Sequence, residues 1–160
     1  MPLATHLTPN LIHLRASAAT WREAVQLAGE MLERDGATAP EYTAEMLASI
    51  EENGPYVVLA PGFALAHSRP SPHVKRTAIA WVSLAWPVPF GDVNQTEVRT
   101  VVAAAAADHD MQLNLVSDLS ELIGDSETLQ RAINATHVDE LRGILGHGFY
   151  VPALEVEIGA

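Results

Sequence analysis

The segment Tyr56-Val57-Val58-Leu59-Ala60-Pro61-Gly62-Phe63-Ala64-Leu65-Ala66-His67-Ser68-Arg69-Pro70 carries the most local information in the chain. Tyr56 to Leu59 and Phe63 to Leu65 are short apolar runs separated by Pro61-Gly62, the pattern of two strands joined by a turn. A polar, proline-bearing loop then runs from His67 to Pro72. Thr77 to Leu84 gathers β-branched and aromatic residues into a longer strand, and Pro87, Pro89 and Gly91 break the pattern after it. Val98 to Ala107 is ambiguous by periodicity: Val98, Val101 and Val102 favour strand and the alanines favour helix.

Around this strand-rich centre the signals are helical. Thr20-Trp21-Arg22-Glu23 is a capping-box pattern, followed by Trp21, Ala24, Val25, Ala28, Met31 and Leu32 at helical spacing until Asp35-Gly36. Pro40 suits the first turn of a second helix with Tyr42, Met46 and Ile50 on one face, ending at Glu51 to Gly54. Leu115, Val116, Leu119, Leu122 and Ile123 define a third, ending near Gly124, and shorter helices carry Leu129 with Ile133 and Val138 with Leu141, Ile144 and Leu145, the last opened by a capping pattern at Thr136. Leu154, Val156 and Ile158 alternate with Glu155 and Glu157 as in a late strand, whereas His6 and His13 lie in an N-terminal stretch without a pattern. Mixed helices and strands without repeat or linker predict an α/β fold in one domain spanning residues 1–160.

Composition narrows the function. Apolar residues make up 48 % and charged residues 18 % of 160, a globular balance. Nine Lys and Arg against 20 Asp and Glu leave a net charge of −11, which argues against nucleic-acid or anionic-membrane partners and suits docking to a basic protein surface. The absence of cysteine removes disulfides, thiolate nucleophiles and Cys-based metal sites, and a reducing cytosol is the simplest home. The N-terminus lacks a signal-peptide pattern. The longest weakly polar run, Val101 to Ala107, falls far short of the roughly 20 residues of a membrane span.

His67 is the candidate reactive group, since it ends an apolar run and starts a polar loop. Imidazole is neutral and nucleophilic near pH 7 without special activation. Arg69 offers a fork of donors that matches phosphate oxygens, and Ser68 with the loop N–H groups can add more. This pattern fits phosphoryl acceptance, where the protein mainly positions groups and neutralises charge. A strand-end histidine bonded to backbone, beside a solvated Arg69, fits the same residues. Asp108-His109-Asp110 reads as helix capping in preference to a metal site. His73, His137 and His147 read as solvated or structural. Trp81 and Trp86 read as core or interface. No nucleophile elbow, Walker loop or dinucleotide fingerprint is present.

Gly54 to Pro70, with its Gly-Pro-Tyr entry and His-x-Arg-Pro exit, resembles the active-site segment of enzyme IIA of the bacterial sugar phosphotransferase system, in the mannitol/fructose superfamily and most of all its ascorbate-like branch. The resemblance continues through Val74 to Leu84, Pro87 to Gly91, Val98 to Ala107 and the helix from Leu113 to Ile123, covering most of residues 15–145. It implies a mixed β-sheet flanked by helices, with Val98 to Ala107 as a core strand. It further implies a cytoplasmic phosphoryl relay: the phosphocarrier protein HPr phosphorylates His67, and His67 passes the group to a cysteine of enzyme IIB, which serves the membrane component IIC. Arg69 and Ser68 stand as phosphate-side helpers, and no cofactor or metal is expected.

Two positions depart from the family pattern. Ala66 stands where a proline usually precedes the active histidine. Gln112 stands where many members carry an assisting histidine and is the first candidate for a further phosphate-side helper, with His109, three residues earlier, as the second. A glutamine can donate a hydrogen bond but cannot carry a proton. These departures motivate the alternative of a regulatory or degenerate IIA-like binding protein that feeds no transporter. Trp86 and the helix faces leave room for a homodimer.

Overall fold

The computed structural model describes residues 3–54, 57–90 and 96–149. A five-stranded mixed sheet in the order β1-β4-β5-β3-β2 forms its centre, built from β1 (Ile12–Ala16), β2 (Val58–Ala60), β3 (Gly62–Ala66), β4 (Ala78–Pro89) and β5 (Glu97–Ala105). β1 runs parallel to β4 and β3 parallel to β5, while the β4–β5 and β2–β3 pairs are antiparallel. The ambiguous stretch is therefore strand β5. It pairs on both edges, and Val98 and Thr100 to Ala106 are buried, so a continuous apolar run is what a strand covered on both faces requires.

Five helices surround the sheet: α1 (Trp21–Arg34), α2 (Pro40–Asn53), α3 (His109–Gly124), α4 (Ser126–Ile133) and α5 (Val138–Phe149). Helix α1 starts at Thr20, whose side chain accepts from the Glu23 N–H while the Glu23 carboxylate accepts from the Ala19 N–H, and it stops before Gly36 at φ +80°. It lies against β4 and β5, and α2 packs on it. The α1–α2 crossing is close at Gly29. A Cβ there would meet the Thr43 side chain at 2.5 Å, and Thr43 is buried with its hydroxyl donating to Glu33. Alanine suits a helix interior better than glycine by about 1 kcal/mol, yet Gly29→Ala is expected to lower stability by about 1–2 kcal/mol through overpacking. A urea titration of both proteins measures the balance.

Three sequence expectations change. The N-terminal stretch expected to carry no pattern forms edge strand β1, in which Ile12, Leu14 and Ala16 face inward and His13 and Arg15 outward, an alternation only five residues long. β4 continues through Pro87 to Pro89 where a break was expected. β1 pairing ends at Leu84, so beyond it one edge of β4 lacks that neighbour, and a proline facing such an edge forfeits no ladder bond. β2 begins at Val58 and β3 reaches Ala66, each shifted by a residue or two from the apolar runs. Trp81 is core, in a tilted pair with Phe63 at 5.9 Å, whereas Trp86 is 75 % exposed. The expected late strand at Leu154 to Ile158 lies outside the described residues, as does Gly91.

Candidate functional site

His67 is the first residue after β3, beside the C-terminal end of its parallel neighbour β5, where Ala66 pairs with Ala103. Leu65 and Ala66 are buried and His67 is exposed, so the apolar strand anchors the backbone and presents the ring at the surface. Partial desolvation lowers the imidazole pKa below its ordinary value, opposed by a weaker hydrogen bond with the Leu65 backbone that favours the protonated ring. At neutral pH the ring is accordingly neutral. With one nitrogen donating to the strand carbonyl, the other keeps its lone pair.

The loop that follows is tied down twice. Tyr42 of α2 is buried, and its hydroxyl accepts from the Ser68 N–H at 3.1 Å while donating to the Ala104 carbonyl at 2.8 Å. That single hydroxyl joins α2, β5 and the loop, and burial raises its pKa to about 12. Farther along, the loop closes on the start of α2 through an isolated bridge between Thr38 and Val74, with Ala39 N–H donating to the His73 carbonyl and Lys75 N–H to the Ala37 carbonyl. His73 has a structural place, its Nδ1 lying 2.8 Å from a Glu45 carboxylate oxygen.

Two cavities meet at His67. One is a narrow, mostly apolar crevice between the strand ends and α3, where Leu115 and Leu119 approach Leu65, Ala104 and Ala106. The other is an open depression of about 930 Å³ bordered by His67, Ser68 and Arg69 on the loop, Gln112 on α3, and Glu45 and Glu52 on α2. His67, Ser68 and Gln112 border both. Of the residues singled out in the sequence, the fold thus brings His67, Ser68, Arg69 and Gln112 to one place. His109, the first residue of α3, borders neither cavity. Its neighbour Asp108 caps the helix, its carboxylate accepting from the Met111 N–H at 2.9 Å.

The Ser68 N–H, one of the expected loop donors, is already engaged by Tyr42, which leaves the Ser68 hydroxyl. Sequence reasoning missed Tyr42 and the α2 wall. Tyr42 reads as one more apolar residue of the α2 face, and only its polar tip hints at a buried partner. Nothing in the sequence marks Glu45, Ser49 and Glu52, because helical spacing does not say which loop a polar stripe faces.

Comparison with known proteins places the chain. Residues 5–147 match the family described as phosphoenolpyruvate-dependent sugar phosphotransferase system, EIIA 2. An ascorbate-specific PTS system EIIA component from Shigella boydii serotype 4 is 34 % identical over 121 residues, 75 % of this chain and 79 % of the relative. The crystal structure of a putative PTS IIA from Streptococcus mutans superposes with a TM-score of 0.83 at 32 % identity, covering 97 % of this chain and 99 % of that one. A complex of mannitol enzyme IIA with phosphorylated enzyme IIB from Escherichia coli matches with a TM-score of 0.78 at 27 % identity, covering 88 % and 97 %. The chain belongs to the EIIA 2 family of the sugar phosphotransferase system, whose members are transferases with a phosphohistidine intermediate.

Proposed function

We propose that the protein is the phosphoryl carrier of an ascorbate-like sugar phosphotransferase system, with His67 as the carrier. The convergence of His67, Ser68, Arg69 and Gln112 on one open depression carries this reading. In the first step the N–P bond of phospho-HPr breaks as a new N–P bond forms to the free nitrogen of His67. In the second, that bond breaks as the phosphoryl group passes to an enzyme IIB, by this branch's pattern to a cysteine thiolate. The Arg69 guanidinium offsets charge on the equatorial oxygens, and the Ser68 hydroxyl and Gln112 amide donate to them. Glu45 and Glu52 across the depression disfavour permanent anion binding, which suits a group that must leave again.

Both exchanges are between macromolecules, so an open face serves better than a closed pocket. No described helix is long and apolar enough to cross a membrane, and the partners of such a relay are met in the cytoplasm. The alternative is a regulatory IIA-like protein, motivated by Ala66 and Gln112. Incubation with phosphoenolpyruvate, enzyme I and HPr, followed by intact mass, tests the reading. The expected result is an acid-labile gain of about 80 Da that is discharged by the cognate IIB. A stable phosphoprotein that no IIB discharges supports the regulatory alternative, and no gain at all overturns the carrier assignment.

Gln112 has its own test. Removing one hydrogen-bond donor to a charged group forfeits about 1.5–3 kcal/mol, so Gln112→Ala is expected to slow transfer from phospho-HPr by about ten- to a hundredfold. The fold should survive, because Gln112 is only partly buried. Rapid-quench transfer rates with and without the amide provide the measurement.

A further inference from the structure

A third cavity, of about 160 Å³, lies away from His67 and carries the opposite electrostatic character. It is bordered by Arg15 on β1, Ser83 and Leu84 on β4, Arg99 on β5, and Asn134 and Thr136 between α4 and α5. No carboxylate side chain borders it, in a chain of net charge −11 with only nine Lys and Arg. Two of those nine meet here. Among the described residues neither Arg15 nor Arg99 makes an ion pair. The nearby Glu140 carboxylate accepts from the Thr136 N–H at 3.1 Å.

The backbone at this place is unusual as well. Arg15 is the only non-glycine residue with positive φ (60°) among the described residues, and its N–H donates to the buried Ser83 hydroxyl at 2.9 Å. The positive φ falls within the register irregularity of β1, where His13 pairs with Val82 but Ala16 with Leu84. Irregularities of this kind re-aim side chains at the rims of sheets. Strained, non-glycine backbone of this kind gathers where a ligand or switch needs a side chain in one orientation. Here it places a guanidinium at the mouth of a cavity that also has Arg99 at its rim.

We propose that this cavity is a binding site for a small organic phosphate, separate from the phosphoryl-carrier face. The two guanidiniums supply bidentate donors for the phosphate oxygens, and the Asn134 amide adds a neutral donor, while the Thr136 hydroxyl lies 3.0 Å from His137 Nδ1. Leu84, Ile133 and Ala135 give the ligand's carbon skeleton an apolar floor. Strand β5 carries Arg99 near one end and reaches Ala104 of the His67 site five residues on, a span of roughly 17 Å at strand rise.

The test is an amide chemical-shift titration of the full chain with glycerol 3-phosphate, with inorganic phosphate and chloride at matched ionic strength. Saturable shifts are expected at Arg15, Ser83, Arg99, Asn134 and Thr136, with weaker binding of inorganic phosphate. Arg99→Gln and Arg15→Asn, the latter chosen because asparagine tolerates positive φ, should each weaken binding about tenfold or more. Unchanged spectra elsewhere would show that these variants fold. Responses no larger than with chloride, or saturation confined to the His67 to Arg69 amides, overturn the site. Equal affinity for inorganic phosphate overturns its preference for an organic ligand. Because the titration involves no phosphoryl transfer, its outcome is independent of whether His67 is the carrier.

Discussion

His67→Ala is expected to abolish acid-labile phosphorylation by phospho-HPr entirely while leaving the fold intact. The ring is exposed at the end of β3, so its removal opens no cavity in the core, and far-ultraviolet circular dichroism should be unchanged. The loss should be complete because no neighbour can substitute. Arg69 is permanently protonated, Gln112 offers an amide nitrogen whose lone pair is delocalised, and a phosphate ester on the Ser68 hydroxyl would be stable to acid and so would not appear as acid-labile label. Full label in the variant would move the carrier elsewhere, with His109 as the next histidine to replace.

The pH dependence follows from the same ring. A His67 carrier accepts the group as the neutral imidazole, and partial desolvation lowers its pKa below the ordinary value, so the rate should hold through neutrality and fall only at more acidic pH. The sign for stability agrees. The folded state binds this proton less tightly than the unfolded chain, so the contribution of neutral His67 is full above the unfolded pKa and is lost as pH falls. Between pH 7 and 5 the wild type should therefore lose stability more steeply than His67→Ala. Parallel curves from urea titrations across that window would contradict the assigned shift.

Tyr42→Phe should be the most damaging single-atom change near the site. The ring stays in its buried slot, but the Ser68 N–H and the Ala104 carbonyl both lose their partner. Unsatisfied buried groups cost about 1–3 kcal/mol. For a chain of this size that is a fall in Tm of about 2–4 °C per kcal/mol. Amide exchange at Ser68 should accelerate and phosphoryl transfer should slow, since the loop that carries His67 and Arg69 loses its tie to β5. The difference is itself pH-dependent. Tyr42 titrates near 10 in an unfolded chain and at about 12 here, so the wild type gains from the protonated phenol below pH 10 and loses that gain as pH rises through 12. Phenylalanine cannot ionise, so the stability gap between the two proteins should narrow over that range.

Much of this was legible in the residues alone. Helices α1 to α5 announce themselves through caps and 3.6-residue periodicity, because those signals are local: Thr20 with Glu23, Pro40 at a first turn, and the Leu115 to Ile123 stripe need no distant partner to be read. The apolar run that ends at His67 and the arginine two residues on are equally local, and they mark the loop that borders the open depression. β5 was different. Val98 to Ala107 has no alternation to read, because a strand paired on both edges and covered on both faces has no polar side, and only its neighbours distinguish it from a buried helix.

Composition and local periodicity suffice to read an acidic, cysteine-free α/β chain, its helices, and a candidate histidine at the end of a strand. Tertiary structure alone decided what surrounds that histidine. Gln112 and not His109 borders its cavities because α3 sets down the former near the end of β3 while the latter remains at the helix start. Tyr42 proved to be the tie between three elements, and Arg15 met Arg99, 84 positions later in the chain, across a bulged edge strand. Each of these is a contact between segments far apart in sequence. Spacing along the chain carries no information about such contacts until the sheet order brings the segments together.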